Sequence, residues 1–154
     1  MSRLPCHRQV LPNGMVVLSE RMPAVKSATI GVWVRVGSRD ETGDVAGISH
    51  FIEHMLFKGT QRRSAQEIAM AIDAVGGTLD AFTSRETTCF YAKVLGEHLP
   101  LAVDILADTF LHSNLDTKDI EREQEVVLQE IKMVEDTPDD LVHDRVGRVR
   151  VAQL

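Results

Sequence analysis

Two histidines and a glutamate stand close together in the run His50-Phe51-Ile52-Glu53-His54. An α-helix turns about 100° per residue. His50 and His54, four apart, therefore stand one above the other on a helix, and Glu53 lies beside them. Phe57 continues the stripe. The other positions, Val45, Ile48, Phe51, Ile52, Met55 and Leu56, are apolar, which predicts a buried helix. Two imidazoles and a carboxylate on one stripe of such a helix cost desolvation energy unless something satisfies them. A metal ion does. Single histidines on helices are more often packing or surface residues; three such groups on one apolar helix favour the metal. Zinc suits two histidines, a carboxylate and one open position. A water held there would have its pKa lowered to about 7. Glu53 could take its proton and pass it to a leaving amine, while the metal polarises the scissile carbonyl. The chemistry such a set of groups could perform is peptide-bond hydrolysis.

A catalytic zinc site needs a third protein ligand. By type the choices are Asp80, Glu86, His98, His112, Glu123, Glu130 and His143. A long helix near the end of the chain discriminates among them. Ile120, Val127, Ile131 and Val134 mark its inner face, and Glu123, Val127, Glu130 and Val134 form one stripe at spacings of four, three and four. Glu121, Glu125, Gln129 and Lys132 fall elsewhere and read as solvated. Glu123 and Glu130 are two turns apart, roughly 10 Å, so they cannot both bind one ion. One would be the ligand and the other would hold a histidine ring or the geometry of the site. Residue spacing leaves open which is which.

The elements that must position these groups are legible as patterns. Arg8 to Met22 reads as two short strands around Pro12-Asn13-Gly14, a hairpin signal. Lys26 to Ser38 alternates Ala28, Ile30, Val32, Val34 and Val36 with Thr29, Gly31, Trp33 and Arg35, a strand with one buried face. Asp44 is the expected N-cap of a helix from Val45 to Phe57, stopped near Gly59. Ser64 and Glu67 make a capping box for a helix through Val75, ended by Gly76-Gly77. Thr78 to Ser84 and Glu86 to Leu95 read as strands. Leu99 to His112 has helical spacing with Pro100 in its first turn. Asp116 or Thr117 opens the long helix to about Asp136, and a short helix is expected over Asp139 to Val149. The order predicts an α+β fold: a largely antiparallel β-sheet with helices packed against it.

Bulk properties narrow the classes. The 154 residues fit one domain with its own core. Net charge is -6 and aromatic content 5%, which argues against nucleic acid or an anionic membrane as partner. No apolar run approaches the roughly eighteen residues of a membrane span. Met1 to Val10 lacks the apolar core of a secretory signal. Cys6 and Cys89 are expected to be free thiols, and the protein to be cytoplasmic.

The matching residues run in order through a known family. Leu11-Pro12-Asn13-Gly14, then Gly47-Ile48-Ser49-His50-Phe51-Ile52-Glu53-His54-Met55-Leu56-Phe57-Lys58-Gly59-Thr60, then Gly76-Gly77 with Asp80-Ala81-Phe82-Thr83-Ser84-Arg85-Glu86, and last Glu121-Arg122-Glu123 through Val126-Val127-Leu128-Gln129-Glu130-Ile131 resemble the pitrilysin/insulinase family of zinc metallopeptidases. Its processing-peptidase branch is the closest likeness, and the inverted zinc motif gives the name inverzincin. The resemblance covers nearly all of residues 8 to 146. It implies one zinc ion on His50, His54 and Glu130, with Glu53 as base and Glu123 as a supporting carboxylate. It implies a strand over Thr78 to Ser84, including Asp80, Ala81, Phe82 and Thr83, that pairs with an extended peptide substrate. Asp80 departs from the pattern, where the family often has Asn.

The resemblance also implies a second homologous domain or partner subunit, which would supply an Arg and a Tyr. No segment here corresponds to it. The ending from Gly147 to Leu154 is read as leaving the family pattern, so residues 1–154 are expected to be a single, truncated N-terminal metallopeptidase domain. Two functions follow as expectations: a zinc metalloendopeptidase module acting on extended or unfolded peptides, or an impaired fragment or interaction subunit of a larger processing-peptidase-like assembly. Retention of His50, Glu53 and His54 favours the first.

Overall fold

The computed structural model describes residues 6–136. The helix expected over Asp139 to Val149, the candidate ligand His143 and the side chain of Val134 lie outside the described set. Strands β1 (Cys6–Val10) and β2 (Val16–Glu20) pair antiparallel, with Val10 opposite Val16. Their turn uses Gly14 at φ 85, and the Asn13 side chain accepts from the Met15 N–H. Both strands are exposed along their length. They form a sheet of their own rather than part of the main one.

The main sheet has three antiparallel strands in the order β3 (Ser27–Val34), β5 (Thr88–Leu95), β4 (Thr78–Thr83). The period-two alternation has the expected effect within β3, where Ala28, Ile30, Val32 and Val34 are half-buried and Thr29, Gly31 and Trp33 exposed, but the strand ends at Val34 and Val36, expected on the buried face, is exposed. The inner face offers Phe90, Ala92 and Val94 of β5, with Ile30 and Leu79 beside them. Three helices close this core: α1 (Ile48–Leu56), α2 (Ala65–Asp73) and α3 (Leu99–His112). They contribute Leu56, Ile68, Ile72, Ala102, Ile105 and Leu106. On the outer face Trp33 and Phe82 both pair with Cys89 across the strands, and their rings meet edge to face at 5.6 Å. Cys89 is buried between them. The architecture is α+β, an antiparallel sheet with helices against it.

The long helix α4 (Thr117–Asp136) lies against α1. Val127 and Glu123 are its buried residues among those described, while Ile131, expected on the inner face, is 48% exposed. The stripe of Glu123, Val127 and Glu130 is the face turned inward, and Ile131 is rotated off it.

Two expectations for α1 are corrected. The helix begins at Ile48, three residues later than Val45, and Asp44 is not its cap: Asp44 lies in a separate 3-10 turn, Gly43–Val45. Gly47 occupies the N-cap at φ 90, a left-handed conformation that favours glycine. The carboxylate of Glu41, from the preceding loop, accepts from the N–H groups of Gly47 (2.6 Å) and Ser49 (2.9 Å). A remote side chain thus satisfies helix-end donors that a local cap was expected to take. Nor is α1 buried all round: Ile48 and Ile52, four apart on one side, are 40% and 44% exposed.

Candidate metal centre and active site

The end of α1 is joined to α2 by a loop held in place by Asp108 of α3. The Thr60 hydroxyl donates to Asp108 at 2.8 Å, Arg63 donates at 2.8 Å, and His112 Nδ1 lies 3.1 Å away. Burial alone would raise the Asp108 carboxyl, but these donors together outweigh it and hold it below the usual carboxylate range. This network ties the loop after α1 to α3. On the other side, α1 packs against β4 and β5.

His50 and His54 face each other on α1, ring edge to ring face, with their Nε2 atoms 3.0 Å apart. Glu130 of α4 reaches the same point: its Oε2 lies 3.6 Å from His50 Nε2 and 3.5 Å from His54 Nε2. The three potential ligand atoms all lie within 4.8 Å of one another. Two imidazole nitrogens and one carboxylate oxygen converging on one point is a donor set that fits zinc with an open position. His50 and Glu130 are partly exposed, so the point of convergence is reachable from solvent.

Glu123, two turns earlier on α4, occupies the far side of the His54 ring. Its Oε1 lies 2.8 Å from Nδ1 of His54, and its Oε2 lies 2.5 Å from Nζ of Lys58. Burial alone would raise the Glu123 carboxyl. The hydrogen bonds and charges of Lys58 and His54 outweigh it and hold the carboxyl below its usual range. A carboxylate in this contact accepts, so Nδ1 of His54 donates to Glu123, and Nε2 is the atom turned toward His50 and Glu130. The two carboxylates that spacing left undistinguished thus sit on opposite sides of one imidazole.

Glu53, beside His54, reaches the end of β4. Thr83 Oγ1, at the end of β4, donates to its Oε2. An open cavity of about 310 Å³ runs alongside, lined by Glu53, His54, Phe57, Lys58, Asp80, Ala81 and Glu123 among others. β4 is an edge of the three-stranded sheet, so one side of it pairs with no other strand among the described residues. Asp80 and Ala81 lie on it. The Asp80 carboxylate accepts from the Ala81 N–H at 2.8 Å and from the Tyr91 hydroxyl at 3.0 Å. Phe82 turns to the outer face beside Trp33.

The remaining candidates for a third ligand are engaged elsewhere. Glu86 accepts from Arg39 at 2.6 Å, His98 lies 3.7 Å from Glu97, and His112 is held by Asp108. Sequence reasoning missed Lys58 and Glu41. Lys58 had a signal, being four residues after His54 on the same stripe; Glu41, in a loop, had none.

Comparison with known proteins identifies the family. Residues 16–151 match the family described as Insulinase (Peptidase family M16), and the chain belongs to that family. The match runs to residue 151, beyond the expected end of the family pattern at residue 146. Among relatives, the chain is 52% identical over 141 residues to the uncharacterized zinc protease YmxG of Bacillus subtilis, covering 92% of this chain and 34% of that protein. It is 45% identical over 139 residues to the mitochondrial-processing peptidase subunit beta of Saccharomyces cerevisiae, covering 90% of this chain and 30% of that one. The crystal structure of a protease from Helicobacter pylori superposes with a TM-score of 0.85 at 27% identity, over 90% of this chain and 33% of that one. The chain spans about a third of the length of the relatives it matches.

Proposed function

We propose that the chain is the metal-bearing module of a zinc metalloendopeptidase that cleaves extended or unfolded peptides. The observation that carries this reading is the convergence of His50, His54 and Glu130 within 4.8 Å, with Glu53 on the same helix beside the cavity. His50, His54 and Glu130 would hold one zinc ion, which when bound activates a water and polarises the scissile carbonyl. Glu53 takes the proton from the attacking water and delivers it to the leaving amine. Glu123 fixes the tautomer and orientation of His54. The open side of β4, with Asp80, Ala81, Phe82 and Thr83, receives the substrate backbone as an added strand, which requires an unpaired, extended peptide. Asp80 already accepts the Ala81 N–H, so its carboxylate competes with a substrate carbonyl for that donor. In this reading the protein works in the cytoplasm, where its two free thiols stay reduced.

The test has two parts. Purified wild-type chain should contain one equivalent of zinc and His50→Ala much less; equal content in both would sink the metal site. Cleavage of an unfolded peptide should be chelator-sensitive and lost in Glu53→Gln.

A second reading, an impaired fragment or interaction subunit of a larger assembly, is favoured by the relative named as a subunit. A second homologous domain or subunit would then complete the substrate site. In that case the isolated chain binds zinc yet cleaves slowly, and a longer partner that co-purifies with it restores turnover. Fast cleavage by a verified monomer would refute this second reading.

A further inference from the structure

Glu123 has two carboxylate oxygens and two side-chain partners among the described residues. His54 Nδ1 lies 2.8 Å from Oε1 and Lys58 Nζ 2.5 Å from Oε2. The side chain is 7% exposed, so water does little to orient it and the two donors set its angle. Lys58 follows His54 by four residues, and its own N–H donates to the Met55 carbonyl at 3.1 Å, which anchors it at the end of α1. The ammonium and the His54 ring therefore reach one carboxylate from one helix end.

We propose that Lys58 is a positioning residue of the metal centre: by holding Oε2 of Glu123 it keeps Oε1 on Nδ1 of His54, and so keeps Nε2 of His54 turned toward Nε2 of His50 and the Glu130 carboxylate. The proposal rests on the reading of His50, His54 and Glu130 as metal ligands. Charge alone would work in the opposite direction. A cation beside a cation site repels the metal, so removing Lys58 would tighten zinc binding if its charge were all that mattered. Removing a group that orients a ligand weakens binding. The sign of the change separates the two.

Lys58→Met keeps the length of the side chain and removes both charge and donor. The measurement is zinc affinity of the full chain by competition with a chromophoric chelator, with circular dichroism of the metal-free chain as the control for folding. Lys58→Met is expected to bind zinc about 10–100-fold more weakly than wild type. Lys58→Arg, which retains a cationic donor, recovers most of that loss. In a Glu123→Gln background, Lys58→Met adds no further loss, because Lys58 acts through Glu123. Affinity in Lys58→Met equal to or above wild type, or the same loss with and without Glu123, overturns the proposal. If Lys58→Met does not fold, Lys58→Arg decides. A folded arginine variant of near wild-type affinity supports the proposal, and one weakened as expected for methionine overturns it. A wild-type chain that takes up no zinc is a different result, overturning the metal centre itself.

Discussion

Thr83 Oγ1 lies 2.5 Å from Oε2 of Glu53, so the last residue of β4 donates a hydrogen bond to the carboxylate between the two histidine positions of α1. The strand proposed to receive a peptide and the group proposed as the base are thereby joined. Thr83→Val keeps the shape and removes the donor. It is expected to lower kcat by about tenfold, a fraction of the whole effect of a general base, with zinc content and KM little changed. Thr83→Ser should retain activity. Steady-state cleavage by the zinc-loaded active form, alone or with its partner, checks this alongside metal analysis. A Thr83→Val enzyme at the wild-type rate would show that the hydrogen bond does not position the base.

Asp108 is the anchor of the loop after α1, buried among Thr60, Arg63 and His112. Asp108→Ala removes the acceptor of the Thr60 hydroxyl and one of the two carboxylates that hold Arg63, which stays paired with Asp104, and is expected to destabilise the fold by about 1–3 kcal/mol, measured by urea unfolding at neutral pH.

The same carboxylate gives a pH dependence. Its folded pKa lies below the ordinary value of about 3.9. Its contribution is therefore complete above that ordinary value and is lost as the pH falls through the folded one. Wild type should lose stability in that acid range, and Asp108→Asn, already weakened at neutral pH, should lose less there. An equal acid loss in the two would place the effect on other carboxylates.

Glu41 caps α1 from outside the helix. Burial alone would raise its carboxyl, yet the N–H groups of Gly47 and Ser49 outweigh this and lower it. Glu41→Ala is expected to cost about 0.5–2 kcal/mol, as for loss of an N-cap. A thermal melt unchanged by the substitution would show that solvent satisfies those donors equally well.

How far these elements could be read in advance depended on how local their causes are. The helix from Leu99 to His112 matches its apolar spacing end to end, and the Ser64–Glu67 capping box forms as expected, because each is decided within one or two turns. The start of α1 was misplaced because its donors are met by Glu41, six to eight residues away across a loop. The hydrophobicity of Ile48 and Ile52 suggested burial, but a nine-residue helix lying on a sheet has one side left over. The site followed the same rule. The histidine pair was visible in helical spacing, whereas the division of labour between Glu123 and Glu130 depends on how α4 crosses α1, a relation between residues about seventy positions apart. Spacing leaves the two carboxylates equivalent, and only the resemblance implies different roles for them.

The crossing itself has a mechanical consequence. Among the described residues, α4 buries little more than Val127 and Glu123, and its links to α1 include Glu123 on His54 and Lys58 and Glu130 beside the histidine pair. Few apolar contacts hold such a helix down. An ion gripping His50, His54 and Glu130 would act as a rivet between two pieces of chain that otherwise meet mainly through charge, and metal at 1,000 times its dissociation constant would add about 4 kcal/mol to the folded state. Chelation should then speed amide hydrogen exchange in α4 well before it disturbs α3 or β5, whose burial owes nothing to the ion.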